Sequence, residues 1–171
     1  MVRHVQPLLP SPEAVLALPA LMQGRVLSSD LDLDGHMSMQ RHVERGEEGA
    51  EMLLRSVGVD DAYRAEQGMA VFSAEHHVRL FRELSEGGQF SVHTMLLDRS
   101  ARIAHLLAFL LDHEEHSISS TVEMVLVHVG MATRRAVDFP AEVATGLDAL
   151  IATSQRFDGR VPTSGSMGIR R

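Results

Sequence analysis

After Gly58 the apolar pattern of this chain changes period. Before it, Met39, Val43, Gly46, Ala50, Leu53, Leu54 and Val57 recur at spacings of three and four. That is one apolar or small stripe on a helix from Ser38 to about Val57. After it come four long segments that alternate or are apolar throughout: Met69–Phe81, Gly87–Asp98, Ala101–Asp112 and His116–Gly130. The links Asp98-Arg99-Ser100 and His113-Glu114-Glu115 are of hairpin length, so the last three segments read as an antiparallel meander.

Ser38 suits a helix N-cap and Gly58 the position just past a helix end. Gly46 and Gly49 are costly inside a helix, and they make sense if this helix lies very close to a sheet. In Ala101–Asp112 both faces are apolar, which marks a strand central in its sheet or covered by another subunit. "GRVLSS", Gly24–Ser29, reads as a first strand, and Ala141–Ile151 as a surface helix. Residues 1–24 read as an irregular lead-in with a short helix at Glu13–Leu18, residues 25–153 as one domain, and residues 154–171 as a loosely ordered tail. No internal repeat interrupts this order. Strand, long helix, then four antiparallel strands is the α+β order of the hot-dog fold, in which a five-stranded antiparallel sheet wraps a long central helix.

Composition narrows the chemistry. The net charge of −7 argues against wholesale nucleic-acid binding. All 16 basic residues are arginine, which excludes a lysine Schiff base. There is no cysteine, so disulfides, thiolate nucleophiles and Cys-ligated zinc are excluded. No apolar run is long enough to cross a bilayer, and the proline-broken N-terminus lacks a signal-peptide layout. These features lead us to expect a cytoplasmic protein with no membrane partner. "HEEH", His113–His116, flanks a turn and lacks the spacing of the helical zinc-protease motif, so no metal site is expected there.

The stretch "DLDGHM", Asp32–Met37, at the entrance of the long helix resembles the signature of hot-dog acyl-CoA thioesterases of the 4-hydroxybenzoyl-CoA thioesterase type. A narrower resemblance covers about residues 25–140. It is to the thioesterase domain joined to, or encoded beside, L-carnitine dehydrogenase and associated with betainyl-CoA. "DLDGHMSMQRH", "EHHVRLFRE" and "STVEMVLVHV" carry it, in that order. The chain differs at Asp34, where asparagine is usual, and at His42, where the wider family often has tyrosine.

The resemblance implies an acyl-CoA thioesterase that hydrolyses a small or polar acyl-CoA, betainyl-CoA being one candidate. Asp32 would be nucleophile or general base, and His36 would position the loop or orient water. The thioester carbonyl would lie near Met39, at the helix N-terminus with its unpaired N–H groups. No cofactor is implied, since CoA is part of the substrate. Glu75, His77 and Arg79 alternate along one strand and share a face. They read either as a polar, substrate-binding wall of the site at a dimer interface or as a solvent-facing ladder. Glu123, in an apolar strand, needs a partner and is a candidate second pocket acid. Glu123 and His128, five apart, should face opposite sides unless a bulge intervenes. Asp30 and Asp34 read as solvated or loop-bracing. Phe72, Phe81, Phe90 and Phe109 could contribute to a cage for a trimethylammonium group. Arg134 and Arg135 would either meet the CoA phosphates or stay solvated. A homodimer or homotetramer is expected. A non-catalytic acyl-CoA-binding module and a hot-dog dehydratase are the competing readings.

Overall fold

The computed structural model describes residues 9–169, so the first eight residues of the expected lead-in and the last two of the tail lie outside the described residues. In chain order the elements are α1 (Pro12–Leu16), β1 (Met22–Arg25), α2 (Met39–Arg55), α3 (Asp61–Gln67), β2 (Met69–Leu80), β3 (Gln89–Arg99), β4 (Ile103–Asp112), β5 (Ser117–Gly130), β6 (Arg135–Ala136) and α4 (Ala141–Ser154). A single 3-10 turn, Ser28–Asp30, separates β1 from the acidic loop. The strands form one antiparallel sheet in the order β1-β3-β4-β5-β2, with β6 added to β5. Among the described residues the sheet thus has six strands where five were expected, because a two-residue strand carries no periodic signal.

Helix α2 begins where Ser38 accepts a hydrogen bond from the Arg41 N–H at 3.4 Å. Its small stripe lies on the middle of the sheet. A Cβ added at Gly46 would sit 2.7 Å from Val122 Cβ, and one at Gly49 would sit 2.6 Å from Val92 Cγ1. The expected close approach is therefore real, and the two glycines allow it. The inner core joins Ala50, Leu53 and Leu54 of α2 to Val92, Leu106, Ala108, Leu110, Val122 and Met124 of the sheet.

Strand β4 is buried on both faces, as its sequence demanded. It is central in the sheet, and its outer face is covered by the chain's own ends. Leu107, Phe109 and Leu111 meet Val15 of α1, with Leu18, Phe157 and Val161 packed around them. No second subunit is needed to cover them. The lead-in is also tied down by polar groups. His93 Nδ1 lies 2.9 Å from the Leu18 carbonyl, and its Nε2 lies 2.8 Å from Ser91 Oγ. Residues 155–169, expected to be loosely ordered, hold no helix or strand, yet they pack on this outer face.

Helix α3 was not expected. Asp60 caps it, accepting from the Tyr63 N–H at 2.8 Å, and Gly68 ends it at φ 61°. It is pinned to β5 by Tyr63, whose hydroxyl lies 2.7 Å from His128 Nε2. His128 also stacks on Phe139, with ring centroids 4.6 Å apart. Strand β2 contains a bulge between Ser73 and Glu75. Among the described residues no helix is long and apolar enough to cross a membrane.

Candidate active site

The three aspartates of the loop do different things. Asp30 is buried, not solvated. Its carboxylate accepts from the Leu27 N–H at 2.9 Å and lies 3.2 Å from Arg41 Nε and 3.7 Å from Arg45 Nη2, so it ties α2 to the loop. Asp32 is exposed at the turn. Its Oδ1 accepts from the N–H groups of Asp34 at 2.9 Å and His36 at 3.3 Å. Its Oδ2 has no partner among the described residues. Gly35, at φ 85°, supplies the left-handed residue that closes the turn, and the Asp32 N–H donates to the His36 carbonyl at 2.8 Å.

His36 Nε2 lies 3.3 Å from Glu83 Oε2, and the Met37 N–H donates to the Leu84 carbonyl at 2.8 Å. The loop is thereby fastened to the segment that follows β2. Beyond it, the Ser38 N–H donates to the Asp30 carbonyl at 2.9 Å. The main-chain N–H groups of Met39 and Gln40 find no acceptor among the described residues. They are the unpaired donors that every helix N-terminus offers.

A cavity of about 770 Å³ opens in front of this turn. Asp32, His36, Met39 and His42 line one side; Leu80, Arg82 and Glu83 face them. Glu114 and Glu115 of the turn after β4 also reach it. Acids outnumber the lone arginine, so the cavity favours cations and small polar groups over anions. The structure thus brings Asp32, His36 and Met39 together. It adds His42, which the sequence marks only as a departure from a tyrosine pattern.

Glu75, His77, Arg79 and Glu123 are not brought to this cavity. Glu75 pairs across with Val125, His77 with Glu123 and Arg79 with Thr121, all on the face of the sheet away from α2. Glu123 is fully buried there. Its Oε1 lies 2.8 Å from His105 Nε2, and its Oε2 accepts from the Ser164 N–H at 2.6 Å. Arg79 donates to the Pro162 carbonyl at 3.2 Å. Glu123 has its required partner, and the group anchors the C-terminal segment. His128 points the other way, toward α3, as the five-residue spacing required.

Other residues that sequence reasoning missed lie between α2 and β2. Glu47 Oε1 accepts from Ser73 Oγ at 2.8 Å and lies 3.2 Å from His76 Nε2. Glu47, Ala50 and Leu54, on one stripe of α2, also line a second cavity of about 300 Å³ against α3 and β2. The spacing of Glu47 from Ala50 and Leu54 was the available signal.

Residues 26–147 match the model of the thioesterase-like superfamily. The chain is 29% identical over 153 residues to an L-carnitine dehydrogenase/betainyl-CoA thioesterase of Agrobacterium fabrum. That match takes in 88% of this chain and 30% of the relative, so the chain spans under a third of that relative's length. It is 26% identical over 125 residues to a betainyl-CoA thioesterase of Pseudomonas aeruginosa, covering 73% of this chain and 79% of that one. Among solved structures, a Staphylococcus aureus protein in complex with CoA superposes with a TM-score of 0.79 at 21% identity. There 90% of this chain and 96% of that one are covered. The match across most of the sheet and the whole of α2, together with this curled sheet over one long helix, means that the chain belongs to the thioesterase-like superfamily.

Proposed function

We propose that the chain is an acyl-CoA thioesterase acting on a small, polar acyl group, with a cationic, betainyl-like acyl group favoured. The observation that carries this reading is the juxtaposition at the mouth of α2. A carboxylate oxygen without a partner, on Asp32, lines the same cavity as Met39, whose N–H lacks an acceptor. Hydrolysis needs both kinds of group, one to deliver or activate the attacking oxygen and one to hold the charge that develops on the carbonyl oxygen.

As general base, Asp32 takes a proton from water as the new C–O bond forms. The C–S bond then breaks, and the CoA thiolate leaves and is protonated. As nucleophile, Asp32 forms the C–O bond itself, and the C–S bond breaks to release the CoA thiolate, which is protonated. Water then cleaves the resulting mixed anhydride to free acid and Asp32. In both roles the N–H of Met39 faces the oxyanion, and His36, held by Glu83, keeps the loop in place. The reaction needs no cofactor beyond the CoA of the substrate. The acidic lining of the cavity and the two betainyl-CoA relatives support a cationic acyl group. The absence of cysteine supports a cytoplasmic setting.

We also favour a homodimer over a homotetramer. Strand β2 is a 12-residue edge, with β5 as its only neighbour in the sheet among the described residues. Leu33, Met39 and Leu80 are exposed at or beside the cavity. A second copy on that edge would cover them, whereas the outer face of the sheet is already covered. Light scattering at micromolar concentration should give twice the chain mass.

A second reading has one observation in its favour. Asp32 Oδ1 braces its own turn, a job that a non-catalytic acyl-CoA-binding module would also need. Release of free CoA from betainyl-CoA and a panel of short acyl-CoAs separates the two. The thioesterase reading expects turnover by the wild type, highest with the cationic substrate. Binding of these esters without any release of CoA would leave the binding module.

A further inference from the structure

His42 lies one turn inside α2 and is buried, yet it lines the cavity in front of Asp32. Its Nδ1 is 2.8 Å from Ser120 Oγ on β5. Its Nε2 has no partner among the described residues and is not one of the polar atoms sealed from solvent, so it opens on the cavity.

The hydrogen bond to Ser120 sets the ring proton. Ser120 is fully buried, and His42 is the one partner its hydroxyl has among the described residues. If Nδ1 carried the proton, the Ser120 O–H would have no acceptor. The arrangement without an orphaned donor has Ser120 donating to Nδ1, which assigns the proton to Nε2. Burial pushes the pKa of His42 down to about 4, so the ring is neutral at physiological pH and cannot serve as the acid that protonates the leaving thiolate. The ring shares the cavity with the carboxylates Asp32, Asp34, Glu83, Asp112, Glu114 and Glu115.

We propose that His42, held by Ser120, presents Nε2–H to the carbonyl oxygen of the bound thioester as a second donor beside the helix N-terminus. This rests on the thioesterase reading and names a substrate contact within that site.

The test uses the full chain. His42→Phe should lower kcat by roughly 100-fold, the loss typical of one oxyanion donor, with KM changed by less than about threefold. His42→Gln, which restores an N–H donor, should recover most of it. Ser120→Ala, which frees the ring to switch tautomers, should lower kcat less than His42→Phe does. A purely structural role would lower Tm in all three variants without the recovery by glutamine. In the wild type, 15N NMR should show the proton on Nε2. That resonance should shift on adding S-(2-oxopropyl)-CoA, a ketone that cannot be hydrolysed, and not on adding CoA alone. Turnover unchanged in His42→Phe, or a proton on Nδ1, overturns the inference and leaves the thioesterase reading standing. No turnover by the wild type on any CoA ester overturns both.

Discussion

Glu123 and His105 meet at 2.8 Å on the face of the sheet opposite the cavity. They are neighbours on adjacent strands, and neither is exposed. The carboxylate is closed on its other side by the Ser164 N–H. A buried carboxylate is tolerated only when its oxygens are paired, so this group serves stability.

Glu123→Ala should therefore cost about 2–4 kcal/mol, since it leaves a buried imidazole and a main-chain N–H without their acceptor. Urea denaturation measures the loss. Limited proteolysis of the variant should cut first within residues 155–169, and kcat of the folded fraction should match the wild type. A loss of kcat at unchanged stability would return Glu123 to the list of candidate substrate-binding residues.

Asp32→Asn separates the two jobs of that side chain. The amide keeps an oxygen to accept from the Asp34 and His36 N–H groups, and it loses the charge. Stability should stay within about 0.5 kcal/mol, as for surface changes that preserve their contacts. Release of CoA should fall by at least roughly 100-fold. Asp32→Ala should lose activity and also about 1 kcal/mol, because the turn loses its brace. Turnover by Asp32→Asn at the wild-type rate would remove Asp32 from the mechanism.

Acid should destabilise the fold through its buried histidines as pH falls from 6.5 toward 4. His42 has a folded-state pKa of about 4, from burial, against about 6.5 for an unfolded histidine. Between these values the unfolded chain binds the proton and the folded chain does not. The contribution is intact above pH 6.5 and is lost as pH falls toward 4, by up to about 3 kcal/mol. His93, also lowered by burial, acts in the same direction. Unfolding midpoints measured between pH 7 and 4 should fall steadily. His42→Gln should flatten that slope. A midpoint independent of pH over this range would contradict the burial of both rings.

Gly46→Ala sets two effects against each other. Alanine favours the helix by about 1 kcal/mol. Its Cβ would meet Val122 Cβ at 2.7 Å, and overpacking of that kind costs about 1–3 kcal/mol. The steric term should win, giving a net loss of about 1 kcal/mol. Val122→Ala alone should also destabilise, but it removes the Cγ2 and Cγ1 contacts at 2.8 and 3.0 Å, so the double variant should be more stable than additivity allows even though the Cβ contact stays. Thermal melts of the four proteins close the cycle.

Much of this architecture was legible. The α2 stripe, its serine cap and its glycine pair gave both the helix and its closeness to the sheet. The alternating segments gave β2 to β5 within a few residues. Helix α3 was missed because Tyr63 is its one large apolar residue and none of its residues is buried, so no apolar stripe marks it. Only Asp60 and Gly68 betray its ends. The covering of the outer face was missed because Val15, Phe157 and Val161 are scattered among prolines and glycines, without any period. At the candidate site, "DLDGHM" marked the loop with Asp32 and His36, and the helix start placed Met39 beside them; all three line one cavity. Alternation correctly put Glu75, His77 and Arg79 on a common face. It could not say which face, because that depends on how β2 pairs with β5. His42 was legible only as an oddity, since the Ser120 that gives it meaning lies 78 residues away in sequence.

The bulge in β2 acts as a frame for everything downstream of it. Ser73 pairs with Leu126 and bonds to Glu47 on the helix side, yet Glu75, two residues on, stands on the outer side. Ala74 is the extra residue that makes this inversion. Were Ala74 drawn into a regular ladder opposite Val125 instead, Glu75, His77 and Arg79 would turn toward the helix and His76 and Val78 outward, without altering a single one of those side chains. This one bulge thus decides whether the helix side of β2 carries His76 and Val78 or a row of three ionisable side chains.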